Sequence, residues 1–249
     1  MKTGLSFLFY ILIVSFVACK KETRLSDNAT GGTHSVTGKV TDASGQPLAG
    51  VNVIIEHTVW TNSYVFGTTD ANGMYNVTVP AEPAGDWTAK AKLTISAYGQ
   101  DYTFDLAPEN TDVFKSGQAV VRNFTWKLSG AKPDGSGYYG AHVDFYQFGS
   151  DVPMDQVKVV FTPADAAATL IDGSPVPTFE RSIEDVAGTF MVKDIPIGSY
   201  NIKAVYPGKT LLLKNRHMDQ SPAALQPVVF GKNGYLGETE YNVEFWLSE

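Results

Sequence analysis

From Val36 onward the chain alternates apolar and polar residues with a period of two, the spacing of half-buried β-strands. Val36, Gly38 and Val40 share one side of a strand, and Asp42-Ala43-Ser44-Gly45 then turns the chain. Val51, Val53 and Ile55 form the next inward face. A strand from about Tyr64 to Thr69 runs into Asp70-Ala71-Asn72-Gly73, where Asn-Gly is the strongest short hairpin signal. Tyr75, Val77 and Val79 alternate with Met74, Asn76 and Thr78; Pro80 ends that strand, and Trp87, Ala89 and Ala91 begin another. Past the first nineteen residues no segment of helical length repeats with a period of about 3.6. Short, evenly spaced strands of this kind predict an all-β sandwich rather than a parallel sheet with helices.

The second half repeats the plan. Pro47-x3-Val51-x-Val53 is echoed by Pro153-x3-Val157-x-Val159, and Gly73-Met74-Tyr75-Asn76-Val77 by Gly188-Thr189-Phe190-Met191-Val192. Trp87-Thr88-Ala89-Lys90-Ala91 corresponds to Tyr200-Asn201-Ile202-Lys203-Ala204. Each half closes on an aromatic strand, Asn123-Phe124-Thr125-Trp126-Lys127-Leu128-Ser129 against Asn242-Val243-Glu244-Phe245-Trp246-Leu247-Ser248. Four matches in one order predict two tandem sandwiches, over residues 35–129 and 137–249, joined by a linker at 130–136 around Pro133-Asp134-Gly135. Lys214 to Gly237 has no counterpart of similar polarity and reads as elaborated loop.

The chain begins differently. Lys2 precedes an apolar run from Leu5 to Val17, broken only by Ser6 and Ser15, which is too short to span a bilayer and fits the core of a signal peptide. Phe16-Val17-Ala18-Cys19, followed by Lys20-Lys21-Glu22, resembles the lipobox of bacterial lipoproteins, with Phe16 where Leu is usual. That resemblance implies removal of residues 1–18, lipidation of Cys19 and anchoring to the outer membrane of a Gram-negative envelope, on its periplasmic or its outer face. Several acyl chains on one cysteine hold a protein to a membrane where a single chain does not. Residues 19–34 then read as the lipidated cysteine and a polar tether, with too little apolar surface to fold.

Val36-Thr37-Gly38-Lys39-Val40-Thr41-Asp42, Gly45-Gln46-Pro47-Leu48-Ala49-Gly50-Val51-Asn52-Val53 and Thr69-Asp70-Ala71-Asn72-Gly73-Met74-Tyr75 together resemble the carboxypeptidase regulatory-like domain. The resemblance covers about residues 35 to 100 and implies a transthyretin-like (prealbumin-like, Ig-like) sandwich. The motif residues are structural: glycines for turns of positive φ, Pro47 to stiffen a turn, Tyr75 to fill the core. It implies no catalytic residue. Related modules stand beside outer-membrane nutrient receptors and secreted peptidases, which implies a protein or glycan partner.

Charge and composition narrow the choices. A net charge of −7 leaves no basic stripe for nucleic acid. With Cys19 as the single cysteine, intrachain disulfides and cysteine zinc clusters are excluded. His34, His57, His142 and His217 show no zinc-helix spacing, and the chain has no nucleophile elbow, phosphate loop or dinucleotide fingerprint. Asp70-x-Asn72-Gly73 resembles the start of a calcium loop but lacks its later ligands, so it reads as a hairpin turn. No metal, cofactor or catalytic group is therefore expected.

One loop carries candidate binding chemistry. His57-Thr58-Val59-Trp60-Thr61-Asn62-Ser63-Tyr64 places Trp60, Asn62 and Tyr64 at or near a tip. Two readings stand: aromatic rings that stack on sugar faces beside hydrogen-bonding Asn62, or rings tucked over the end of the core. Tyr138-Tyr139 and Tyr146-Gln147-Phe148 pose the same choice, and a shared strand face for Tyr146 and Phe148 favours packing. The expectation is a non-catalytic envelope lipoprotein presenting two β-sandwiches for protein or glycan binding. Its rivals are a glycan-binding lipoprotein of a carbohydrate-uptake system, a fimbrial subunit and a hydrolase.

Overall fold

The computed structural model describes residues 34–81, 84–232 and 239–249. The expected signal segment 1–18, Cys19 and all of the expected tether but His34 lie outside the described residues, and the His34 carbonyl accepts Val79 N–H at 2.7 Å. The regular secondary structure among the described residues is all strand apart from one 3-10 turn, Met154–Gln156.

The first sandwich is built from β1 (Ser35–Thr41), β2 (Asn52–His57), β3 (Tyr64–Thr68), β4 (Met74–Thr78), β5 (Trp87–Ala97), β6 (Gln100–Asp105), β7 (Ala107–Pro108), β8 (Val120–Val121) and β9 (Phe124–Thr125). One sheet runs β4-β1-β9-β7, with β8 also on β1, and the other runs β3-β2-β5-β6. The alternation explains the layers: Val36, Val40, Val53, Ile55, Tyr75 and Val77 all point between the sheets and are buried. Tyr75 donates its hydroxyl to the Arg122 carbonyl at 2.6 Å. Gly38 makes that approach possible, since a Cβ there would stand 1.9 Å from the same carbonyl oxygen and 2.8 Å from the Tyr75 ring.

The second sandwich comprises β10 (Ala141–Gln147), β11 (Lys158–Pro163), β12 (Phe179–Ser182), β13 (Glu184–Val186), β14 (Thr189–Ile195), β15 (Tyr200–Tyr206), β16 (Lys209–Thr210), β17 (Leu212–Asn215), β18 (Gln226–Val228), β19 (Gly231–Lys232) and β20 (Tyr241–Ser248). Its sheets run β13-β14-β10-β20-β17, with β19 on β20, and β12-β11-β15-β16, with β18 on β15. In both sandwiches the opening strand lies antiparallel to the hairpin strand (β4, β14) and parallel to the closing one (β9, β20). Register repeats as well. Val53 faces Ala91 and Val159 faces Ala204; Val36 faces Val77 and Val143 faces Val192.

The closing strands repeat with a different offset from the one their aromatic residues suggest. Val36 pairs with Val120 and Val40 with Phe124, whereas Val143 pairs with Val243 and Gln147 with Leu247. Phe124 is thus equivalent to Leu247, four residues beyond its expected match at Val243. A shift by an even number leaves every side chain on its own face, so alternation alone cannot set it. Two further expectations change. Lys214 to Gly237 is not simply loop, because β17 ends inside it and β18 and β19 extend one sheet each. Tyr146 and Phe148 face outward, Phe148 at 67% exposure, and the Arg216 guanidinium lies 3.9 Å from the Tyr146 ring centre and 4.4 Å from that of Trp246.

The join between the sandwiches is a small hairpin. Lys132 N–H donates to Gly137 O and Tyr139 N–H to Gly130 O, both at 2.9 Å. Asp194, at φ 59°, accepts from Gly130 N–H at 2.8 Å and Gly140 N–H at 3.2 Å, tying both feet of the hairpin to β14. The β6 edge is covered by the second sandwich: Tyr102 Oη donates to Phe230 O at 2.9 Å, and Tyr241 Oη donates to Thr103 O at 3.2 Å.

Candidate functional site

The outer face of β3-β2-β5 forms the floor of an open trough of about 730 Å³. The side chains between the inward positions line it. Ile54 lies between Phe66 and Lys90, and Glu56 between Tyr64 and Thr88. Tyr64 and Phe66 are 41% and 62% exposed, and their ring centres are 6.0 Å apart with planes tilted by 31°. Beside them Lys90 Nζ and Glu56 Oε2 form an ion pair at 2.5 Å. The pair is largely exposed, so it contributes little to stability and chiefly arranges polar atoms along the floor.

The hairpin between the sandwiches walls off one end through Pro133, Asp134, Ser136 and Tyr139. Lys132 holds the wall in place, with Nζ 2.8 Å from Glu240 Oε1 and 3.5 Å from Asp105 Oδ2. Thr239 Oγ1 donates to the same Asp105 oxygen at 2.7 Å. Burial alone would lower the Lys132 pKa, but the hydrogen bond to Glu240 and the charges of Glu240 and Asp105 outweigh it and raise the value.

The three loop residues singled out in the sequence go to different places. Tyr64 lines the trough. Trp60 is 54% exposed and stacks on His57 at 6.2 Å, with planes 29° apart, at the end of the sandwich and outside the trough lining. Asn62 takes φ 61° and turns the loop. Neither ring is tucked into the core. His57 is the buried member: Nδ1 accepts the N–H groups of Val59 and Trp60 at 3.1 and 3.0 Å, so Nε2 carries the proton and donates to Ala84 O at 3.0 Å. Sequence reasoning missed Phe66, although its place two residues after Tyr64 puts both rings on one face.

Elsewhere the polar groups serve turns. Asp70 Oδ1 accepts the N–H groups of Asn72 and Met74, both at 2.8 Å, which lowers its pKa and fits a hairpin turn. Asp42, Asp134 and Asp172 accept in the same way from Ser44, Ser136 and Ser174. Among the described residues no three His, Cys, Asp or Glu side chains are grouped to hold a metal. His142 Nε2 lies 3.5 Å from Asp144 Oδ2, yet neither residue lines this trough or the smaller cavity around Arg181 and Lys193.

Residues 35–113 match the family model of the carboxypeptidase regulatory-like domain, a stretch that holds β1 to β7 of the first sandwich. No curated protein matches the chain in sequence. Among solved structures, the Bacillus anthracis TIE protein is 11% identical at a TM-score of 0.32, over 86% of this chain and 34% of that one. A streptococcal ancillary pilin is 12% identical at 0.25, over 84% and 62%. The shaft pilin SpaA of Lactobacillus rhamnosus GG is 11% identical at 0.23, over 87% and 98%. The chain therefore spans less than two thirds of the length of the first two. TM-scores this far below 0.5 establish no shared arrangement.

Proposed function

We propose that this chain is a non-catalytic binding protein, held to the outer membrane through Cys19, whose first sandwich binds a glycan in the trough between Tyr64 and the hairpin wall. The second sandwich, by its strand order and register, is a diverged copy that buttresses the wall. The observation carrying this reading is the exposed Tyr64–Phe66 pair on a concave face beside Glu56, Thr88 and Lys90. Two neighbouring rings offer flat apolar area to the C–H faces of successive sugars, while the adjacent ion pair and hydroxyl supply donors and acceptors for ring hydroxyls. Such exposure on a folded domain favours ligand contact over packing.

Affinity electrophoresis of the full chain through gels containing neutral polysaccharides tests this. At least one polysaccharide should retard the chain, with Tyr64→Ala and Phe66→Ala each weakening binding about tenfold, the effect of roughly 1.4 kcal/mol. Trp60→Ala, outside the trough, should leave it nearly unchanged. If no polysaccharide retards the chain, or if Trp60→Ala costs as much as Tyr64→Ala, the glycan reading fails.

A further inference from the structure

The trough is bordered by β3, and β3 is an edge strand: among the described residues its one ladder partner is β2. Hydrogen-bond parity shows which of its backbone groups are free. His57 N–H donates to Ser63 O, and Thr69 N–H donates to Val51 O. Odd-numbered residues of this strand therefore point their amide groups toward β2, and Tyr64, Phe66 and Thr68 point theirs outward in the plane of the sheet. Proteins usually blunt such an edge with charges, proline or a bulge. Here none of these is present: His57 to Thr69 contains no Asp, Glu, Lys, Arg or Pro, and the β2–β3 register runs without a shift. The corresponding edge strand of the second sandwich, β12, does carry charges, Glu180 and Arg181.

The outward groups are self-complementary. A twofold axis at Phe66 sets β3 antiparallel to β3 of another molecule, with Phe66 opposite Phe66 and Tyr64 opposite Thr68. Every free N–H then meets a free carbonyl, and no like charges meet, because the segment has none. We propose that β3 pairs with β3 of a second copy of this chain, forming an isologous dimer whose sheet continues across the twofold. Backbone bonding lies in the plane of the sheet and the trough side chains stand perpendicular to it. The pairing therefore brings two Tyr64–Phe66 floors together without using up either, and it does not depend on what the trough binds.

Sedimentation equilibrium of the full chain in non-ionic detergent should show a reversible monomer–dimer transition. Thr68→Pro removes one outward N–H and no β2–β3 bond, and leaves Tyr64 and Phe66 in place. It should raise the dimer dissociation constant at least tenfold with an unchanged circular dichroism spectrum. Independently, Phe66→Cys in a Cys19→Ala background should form an interchain disulfide on mild oxidation, since directly paired Cα atoms about 5.5 Å apart are within disulfide reach. Thr94→Cys, on β5 away from the edge, should not. A wild-type chain that stays monomeric and a Phe66→Cys chain that does not cross-link to itself overturn the proposal. Cross-linking of Phe66→Cys to a different protein only would overturn it in favour of a foreign strand. Retardation by polysaccharide is read separately, so failure of the dimer and failure of the glycan reading are distinguishable.

Discussion

In the first sandwich the closing strand is interrupted. β8 and β9 are two-residue pieces on either side of Arg122, whose carbonyl turns inward to meet Tyr75. In the second, β20 runs unbroken alongside β10, from His142 opposite Asn242 to Gln147 opposite Leu247. The same contrast shows in the layer beneath. Where the first sandwich has Gly38 opposite Tyr75, the second has Phe145 opposite Phe190, and Phe145 stacks 6.4 Å from Phe245. One sandwich fills the space with backbone and a tyrosine hydroxyl, the other with rings. The shared strand order depends on which positions face inward and on where the turns fall, and both sandwiches have these in common. The outer faces diverge further, open and uncharged at β3 and charged at β12.

The strongest way to break this comparison is at Gly38. Gly38→Ala should destabilise the first sandwich by about 3 kcal/mol, since the added methyl would have to displace both the Arg122 carbonyl and the Tyr75 ring. Phe145→Ala, at the equivalent register position, should cost a similar amount for the opposite reason, a cavity. Urea unfolding followed by hydrogen exchange in each sandwich would separate the two losses, and an unperturbed Gly38→Ala would remove the close-approach argument.

A smaller effect is expected where the two sandwiches meet. Asp194→Ala removes the acceptor shared by Gly130 and Gly140 while leaving a non-glycine residue at positive φ, at a cost of about 2 kcal/mol. Exchange of those two amides should quicken while the β1–β4 amides keep their protection. Unchanged exchange at Gly130 would mean that the hairpin is held by other contacts.

The mildest test is alkaline. Burial pushes the Tyr75 phenol well above its ordinary value, with the Arg122 charge offsetting part of the rise, and burial likewise raises Tyr200. A raised folded value means stability is complete below the unfolded pKa of about 10 and is lost as pH climbs above it. Tyr75→Phe should flatten that loss in the first sandwich only, and Tyr200→Phe in the second only, as read from denaturation midpoints between neutral pH and about 11. Equal responses of both sandwiches to either change would mean that they unfold as one unit.

Much of this architecture is legible in the residues. Period-two patterning gives the inward faces of β2, β4, β5, β11 and β15, and Asn72-Gly73 gives a turn, because those features are local. The offset of the closing strands is not legible, since any even shift keeps Phe124 and Leu247 on the inward face. Half of the aromatic pair on the trough floor could be seen in advance: Tyr64 stood out beside Trp60, but Phe66 resembled one more strand residue. The wall could not be foreseen at all. Lys132, Asp105 and Glu240 are far apart in the chain and meet only because β6 packs against the second sandwich.

The parallel pairing of first and last strands in each sandwich has a mechanical consequence. The chain enters at one end of β1 or β10 and leaves from the opposite end of β9 or β20, so tension along the polypeptide pulls the paired strands past each other lengthwise. In that shear geometry the ladder hydrogen bonds share the load instead of parting one at a time. β10 and β20 offer an unbroken run of six paired positions, while β1 is held by two short runs of two. Forced unfolding is a matter of rates, and under a pull the sandwich nearer the amino terminus would be the first to give way.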